Sequence, residues 1–131
     1  MAFKTLHTIE LDSTFNHPLV VEILQLKNDV FVNLRTFSRV GDIKYPTFNG
    51  ICLHANEFDS IVPMLMKREN FTIGSRRVVT FNRLDNPEYF LLELLKPNGN
   101  VQRLELTDDE IRLLLQNKEK ILSFCSFDTI N

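Results

Sequence analysis

The sequence predicts an α+β fold made of two tandem β-β-β-β-α units. Three observations carry that prediction. The two halves repeat one order of elements: a β-branched run, a polar turn, a second strand, another turn, a third alternating stretch and a helix. Val30-Phe-Val-Asn-Leu-Arg-Thr-Phe37 alternates apolar and polar positions with the period of a strand. Thr107-Asp108-Asp109-Glu110 reads as a capping box at the start of a helix. The expected division is a first lobe over residues 1–70, carrying an extra N-terminal strand, and a second, diverged lobe over 71–131.

Residues 3–11 are predicted as the extra strand, and Val20 to Leu26 opens the first copy. Lys27-Asn28-Asp29 follows as a turn, because Asn and Asp tolerate turn backbones. The alternating run Val30 to Phe37 places Val30, Val32 and Leu34 on one face. Phe31, Asn33, Arg35 and Phe37 fall on the other. A turn at Gly41 leads to the stretch Lys44 to Leu53. The first helix begins near His54 with the apolar stripe Phe58, Ile61, Val62 and Leu65. Pro63 inside it is expected to kink or shorten it. Asn70 to Arg76 is the expected junction. The second copy then runs through Val78 to Leu84, the turn Asp85-Asn86-Pro87, Tyr89 to Leu95, and the hairpin signal Pro97-Asn98-Gly99. Its helix carries Ile111, Leu114, Leu115, Lys118 and Leu122 at helical spacing. Aligned by letters, Leu53 meets Leu106 and Val30 meets Tyr89, which puts Leu94 at the position of Arg35 and Lys96 at that of Phe37.

Composition narrows the function classes. Of 131 residues, 44% are hydrophobic and 24% charged, an ordinary globular balance. The net charge of -2 gives no global basic excess, so charge-driven binding over the whole surface is not expected. Cys52 and Cys125 lack metal spacing and read as free thiols in a reducing compartment. No apolar run approaches the ~18 residues of a membrane span, and no secretory signal opens the chain. A soluble, non-secreted protein of the nucleus, the cytoplasm or a viral factory is expected; the compact tandem arrangement suits a viral genome. His7, His17 and His54 show no metal spacing. The four glycines form no phosphate loop, and Asp108-Asp109 reads as helix capping. No enzyme activity, metal or cofactor is expected.

The most specific stretch is Lys44-Tyr-Pro-Thr-Phe-Asn-Gly-Ile-Cys-Leu53. It resembles the Pro-Thr-Lys-Lys-Gly-Ile-Ser-Leu motif of the positive cofactor four transcriptional coactivators, matching at Pro46, Thr47, Gly50, Ile51 and Leu53. Val32-Asn-Leu-Arg-Thr-Phe37 is similar to that family's second strand, and Glu57-Phe58 to its helix start. The likeness covers residues 19–66, and 77–122 only through the internal repeat. It implies a curved antiparallel sheet followed by a helix in each unit, dimerisation through helices, and binding of single-stranded or melted DNA along the sheet. On that pattern this chain carries both lobes of a dimer as an intrachain pseudo-dimer, and whole chains are expected to pair again as a homo-oligomer.

The binding candidates are Phe31, Asn33, Arg35, Phe37, Arg39, Lys44, Tyr45, Thr47, Phe48 and Asn49, with Arg76, Arg77 and Arg83 in the second copy. Aromatic rings stack on bases whatever the sequence, and Arg pairs with phosphate. The family's two loop lysines are Phe48 and Asn49 here, which removes two phosphate contacts; Phe48 is expected to compensate by stacking. In the second copy, Tyr89 to Leu95 is apolar on both faces except Glu93, which points to cover on both faces. Arg103 is a further basic residue there. The resulting expectation is a single-stranded DNA-binding cofactor of the transcription or replication machinery, with RNA open to the same stacking platform. The alternative is a non-catalytic interaction or assembly module that keeps the fold and has lost DNA binding.

Overall fold

The computed structural model describes residues 2–11, 16–86 and 88–125; Pro87 of the predicted turn lies outside them. Eight strands form: β1 (Lys4–Leu11), β2 (Leu19–Leu26), β3 (Asp29–Val40), β4 (Ile43–His54), β5 (Phe71–Ile73), β6 (Val78–Arg83), β7 (Tyr89–Leu95) and β8 (Val101–Thr107). Three helices join them: α1 (Ala55–Lys67), α2 (Asp108–Gln116) and α3 (Lys118–Cys125). The fold is α+β, with one open antiparallel sheet in the order β1-β2-β3-β4-β8-β7-β6-β5.

Local chemistry sets the hairpins. Lys27-Asn28 joins β2 to β3 and Gly41-Asp42 joins β3 to β4, each as a two-residue turn between paired strand ends. Lys27 (φ 57°) and Gly41 (φ 60°) both take the left-handed conformation that such turns demand. Thr107 caps α2: its Oγ1 accepts from the Glu110 backbone N–H (3.1 Å), and the Glu110 carboxylate accepts from the Thr107 N–H (2.9 Å).

Three sequence expectations need correction. The junction Asn70 to Arg76 contains β5, three residues too few to show a period, and β5 forms because β6 offers a free edge for Phe71, Thr72 and Ile73. Pro63 stands on the exposed side of α1, which runs four residues beyond it to Lys67. The second helix is not continuous. Asn117 leaves helical geometry (φ −102°, ψ 5°), and its side-chain amide donates to the Leu113 carbonyl (2.8 Å). The chain restarts as α3, whose Phe124 stacks on His7 of β1 (3.8 Å between centroids).

The third correction is the register expected between the two halves. His54 and Thr107 end β4 and β8 and start the two helices, and their cross-strand partners are Phe31 and Tyr89. Counting from these anchors, Arg35 corresponds to Glu93 and Phe37 to Leu95. The letter alignment is one residue out, which exchanges the two faces of a strand.

All three helices cover one face of the sheet. One continuous core runs from Leu11 through Val21, Val32, Leu53, Phe58, Phe81, Leu92 and Leu106 to Ile121, so it crosses the boundary between residues 70 and 71. The halves meet at β4–β8, where the only backbone pair is Gly50 with Arg103. Side-chain amides continue the ladder to either side. Asn49 bonds both the N–H (2.7 Å) and the C=O (3.2 Å) of Glu105, and Gln102 accepts from the Cys52 N–H (2.8 Å).

Candidate nucleic-acid interface

Among the described residues, no helix lies on the opposite face of the sheet. One rung of side chains crosses it over all eight strands: Glu10, Val20, Arg35, Gly50, Arg103, Glu93, Thr80 and Thr72. At its centre Arg35 and Arg103 flank Gly50. Strands lie about 4.8 Å apart, so the two arginine backbones stand roughly 10 Å from each other. The Arg35 guanidinium leans over Gly50, where any Cβ would overlap it, and donates to the Thr47 carbonyl (2.7 Å). Arg103, 62% exposed, pairs with Glu93 at 2.7 Å.

Thr47, Phe48 and Asn49 form a bulge in β4, opposite Thr36. Hydrogen bonds pin its ends. Thr47 Oγ1 donates to the Thr36 carbonyl (2.6 Å), and the Asn49 amide donates to Thr36 Oγ1 (2.9 Å). Phe48 lies between these anchors and is 102% exposed, as open as in an extended chain. Its ring is held out from a rigid base within two residues of Gly50.

Beyond the bulge, β3 and β4 continue as an arm, and the pleat separates what the sequence interleaves. Arg39 pairs with Lys44, Ser38 with Tyr45, and Val40 with Ile43. Arg39, Lys44 and Phe37 therefore share one face of the arm. Tyr45, Val40 and Ile43 share the other, and all three are more than half exposed. The cationic face turns inward: Arg39 (2.7 Å) and Lys44 (2.6 Å) both bind the carboxylate of Glu10 on β1. The arm thus crosses over Val20, the β2 neighbour of Glu10, and Val20 is buried although it lies on the helix-free face.

The remaining candidates are placed as follows. Asn33 is buried and donates to Glu22 (2.9 Å). Phe31 packs edge-on against Phe3 and tilted against His54. Arg77 grips Glu57 of α1 through both of its carboxylate oxygens and also donates to the Cys52 carbonyl (3.2 Å). Arg83 stacks over Phe90 (5.4 Å) at the far end of β6, and Arg76 is exposed before β6. The structure gathers Arg35, Thr47, Phe48 and Asn49 into one group and adds Arg103 to it. It leaves Arg76, Arg77 and Arg83 apart. Arg103 is the functional candidate that letter matching undervalues, because its place beside Arg35 depends on the β4–β8 pairing.

Charge is unevenly spread. Glu88, Glu105, Asp108, Asp109 and Glu110 line a cleft of about 690 Å³ beside the bulge, together with His17, Tyr89 and Thr107. Burial pushes the Cys52 thiol up, and pushes Cys125 up to about 11. Neither thiol is ionised enough at neutral pH to act as a nucleophile. Among the described residues no cluster of His, Cys, Asp and Glu could hold a metal ion. No helix there is long and apolar enough to cross a membrane.

Burial alone would raise the Glu57 carboxyl, but the hydrogen bonds from Arg77 and from the His54 backbone, with the Arg77 charge, outweigh it and hold the pKa below the ordinary 4.5. The stabilisation is therefore present above that pH and lost as pH falls through the lowered folded value. Glu57→Gln is expected to cost about 1–3 kcal/mol at neutral pH, the range for hydrogen bonds to charged groups. In urea unfolding at pH 7, 5 and 3, the gap between the two proteins should narrow toward acid. A gap that stays constant would show that the Arg77 pair does not contribute.

No protein-family model matches the chain, and no curated protein matches it in sequence. Among solved structures it is similar to the plant transcriptional regulator PBF-2, at 14% identity and a TM-score of 0.46, over 95% of this chain and 83% of that one.

Proposed function

We propose that the protein binds single-stranded nucleic acid across the helix-free face of its sheet, as a non-catalytic cofactor acting on melted DNA in transcription or replication. The observation that carries this reading is the fully exposed Phe48 ring, held on a pinned bulge beside the Arg35–Gly50–Arg103 group. A base stacks on the ring and the two guanidiniums take backbone phosphates, while the glycine between them leaves the room that the Arg35 guanidinium occupies. The reading extends to the architecture. The runs β1 to β4 and β5 to β8, each followed by a capped helix, meet back to back at β4–β8, as two tandem units packed as an intrachain pseudo-dimer would. The test is titration of a labelled single strand of about 20 nucleotides, DNA and RNA in parallel, at two salt concentrations. Salt-sensitive binding that weakens in Phe48→Ala by the roughly 1–3 kcal/mol of one stacked base supports the reading. Binding undiminished in Phe48→Ala removes the residue on which it rests.

A specific observation favours a second reading, an assembly module. Val40, Ile43 and Tyr45 form an exposed apolar face on the arm, while Arg39 and Lys44 are already paired with Glu10 within the chain. On this reading the arm meets a partner protein or a second copy of the chain. Light scattering on the wild type and on Ile43→Asp separates the cases: a drop in mass in the variant supports assembly through the arm.

A further inference from the structure

We infer that Glu10 is an internal stand-in for phosphate that competes with a nucleic-acid backbone for Arg39 and Lys44. This inference rests on the binding proposed above and adds its regulation. The two cations lie directly opposite each other on β3 and β4, so they present a pair of donors fixed by the strand register. Glu10 fills them with one oxygen each: Oε2 meets Arg39 at 2.7 Å and Oε1 meets Lys44 at 2.6 Å. A phosphodiester offers two such anionic oxygens and fits the same pair of donors. The Glu10 side chain is 38% exposed and that of Lys44 35%, so an incoming phosphate reaches the pair from solvent. The carboxylate sits on the same rung as Arg35 and Arg103, so a strand crossing the central group runs toward it.

The strength of the latch suits exchange. On the Lys44 side the pair is open to solvent and contributes at most about 1 kcal/mol, while Arg39, 17% exposed, is held more firmly. A ligand that carries phosphates can replace Glu10, whereas one without them gains nothing from the arm. The free protein then holds both cations on Glu10, and a competing anion takes them by displacing that carboxylate.

Glu10→Gln tests this, with Asp59→Asn on the exposed side of α1 as a control for net charge. Two readouts are needed: affinity for a (dT)20 strand at low salt, and amide hydrogen exchange of the arm tip, Val40 to Lys44, without ligand. The expected result is faster exchange at the tip and about fivefold tighter binding in Glu10→Gln, on the order of one exposed pair released. The control should show neither change, and adding Lys44→Gln to Glu10→Gln should abolish the gain. Measurable binding that Glu10→Gln leaves unchanged overturns the latch and spares the proposed function. Absence of binding in wild type and variant alike overturns both.

Discussion

A protein carrying Arg35→Ala and Arg103→Ala together is expected to bind a single strand roughly 100-fold more weakly than the wild type. The estimate takes about 1.4 kcal/mol for each charge-assisted phosphate contact, a factor of ten apiece. Counterion release supplies a second, independent signature. Losing two phosphate contacts should flatten the slope of log affinity against log salt by about 1.4 for a single strand. Phe48→Ala should weaken binding without changing that slope, because a stacked ring releases no counterion. The two arginines are not equivalent in the free protein. Arg35 is tied to Thr47 across Gly50, while Arg103 pairs with Glu93 on an exposed rung. Arg35→Ala therefore also removes an anchor of the bulge that presents Phe48, and the two arginine effects should couple less than additively with Phe48→Ala. A double variant that keeps the wild-type salt slope would place the phosphate path elsewhere on the sheet.

Phe81→Ala is expected to destabilise the fold by about 3–5 kcal/mol, the usual range for removing a buried aromatic ring. Phe81 is fully buried, with its ring stacked between Phe71 (5.3 Å) and Phe90 (5.2 Å). Arg83 closes the series over Phe90. Three rings on three adjacent strands leave little freedom for the cavity to collapse, so the full cost should be felt. Against a typical total stability of about 5–15 kcal/mol, the loss should lower the melting temperature by roughly 10–20 °C for a chain of this size. Phe71→Ala, on the half-buried edge strand β5, should cost clearly less. Equal costs at the two positions would show that β5 is as firmly held as the core.

Legibility in the sequence followed the range of the physics involved. The α2 start was readable because a capping box is complete within four residues. The turns at Lys27-Asn28 and at Gly41 were readable because their backbone conformation narrows residue choice locally. The face assignment in β3 held, since alternation is a property of the strand itself. β5 was invisible because three residues carry no period and need a neighbouring edge to form at all.

The candidate site divides along the same line. Sequence by itself determined the α+β class, the strands β1 to β4 and β6 to β8, the starts of α1 and α2, and a group of basic and aromatic residues around Arg35 and Phe48. Only the tertiary structure decided how those groups act. Glu10 pairs with Arg39 and Lys44 across 29 and 34 residues of chain, and no local pattern announces that pairing. The pleat sends Tyr45 to the face opposite Lys44, and the strand register puts Glu93 rather than Leu94 at the position of Arg35. Arg103 joins Arg35 because β4 and β8 touch at a single backbone pair. The reason is that composition and periodicity are properties of short segments. Register and charge pairing depend on which segments the common core brings together.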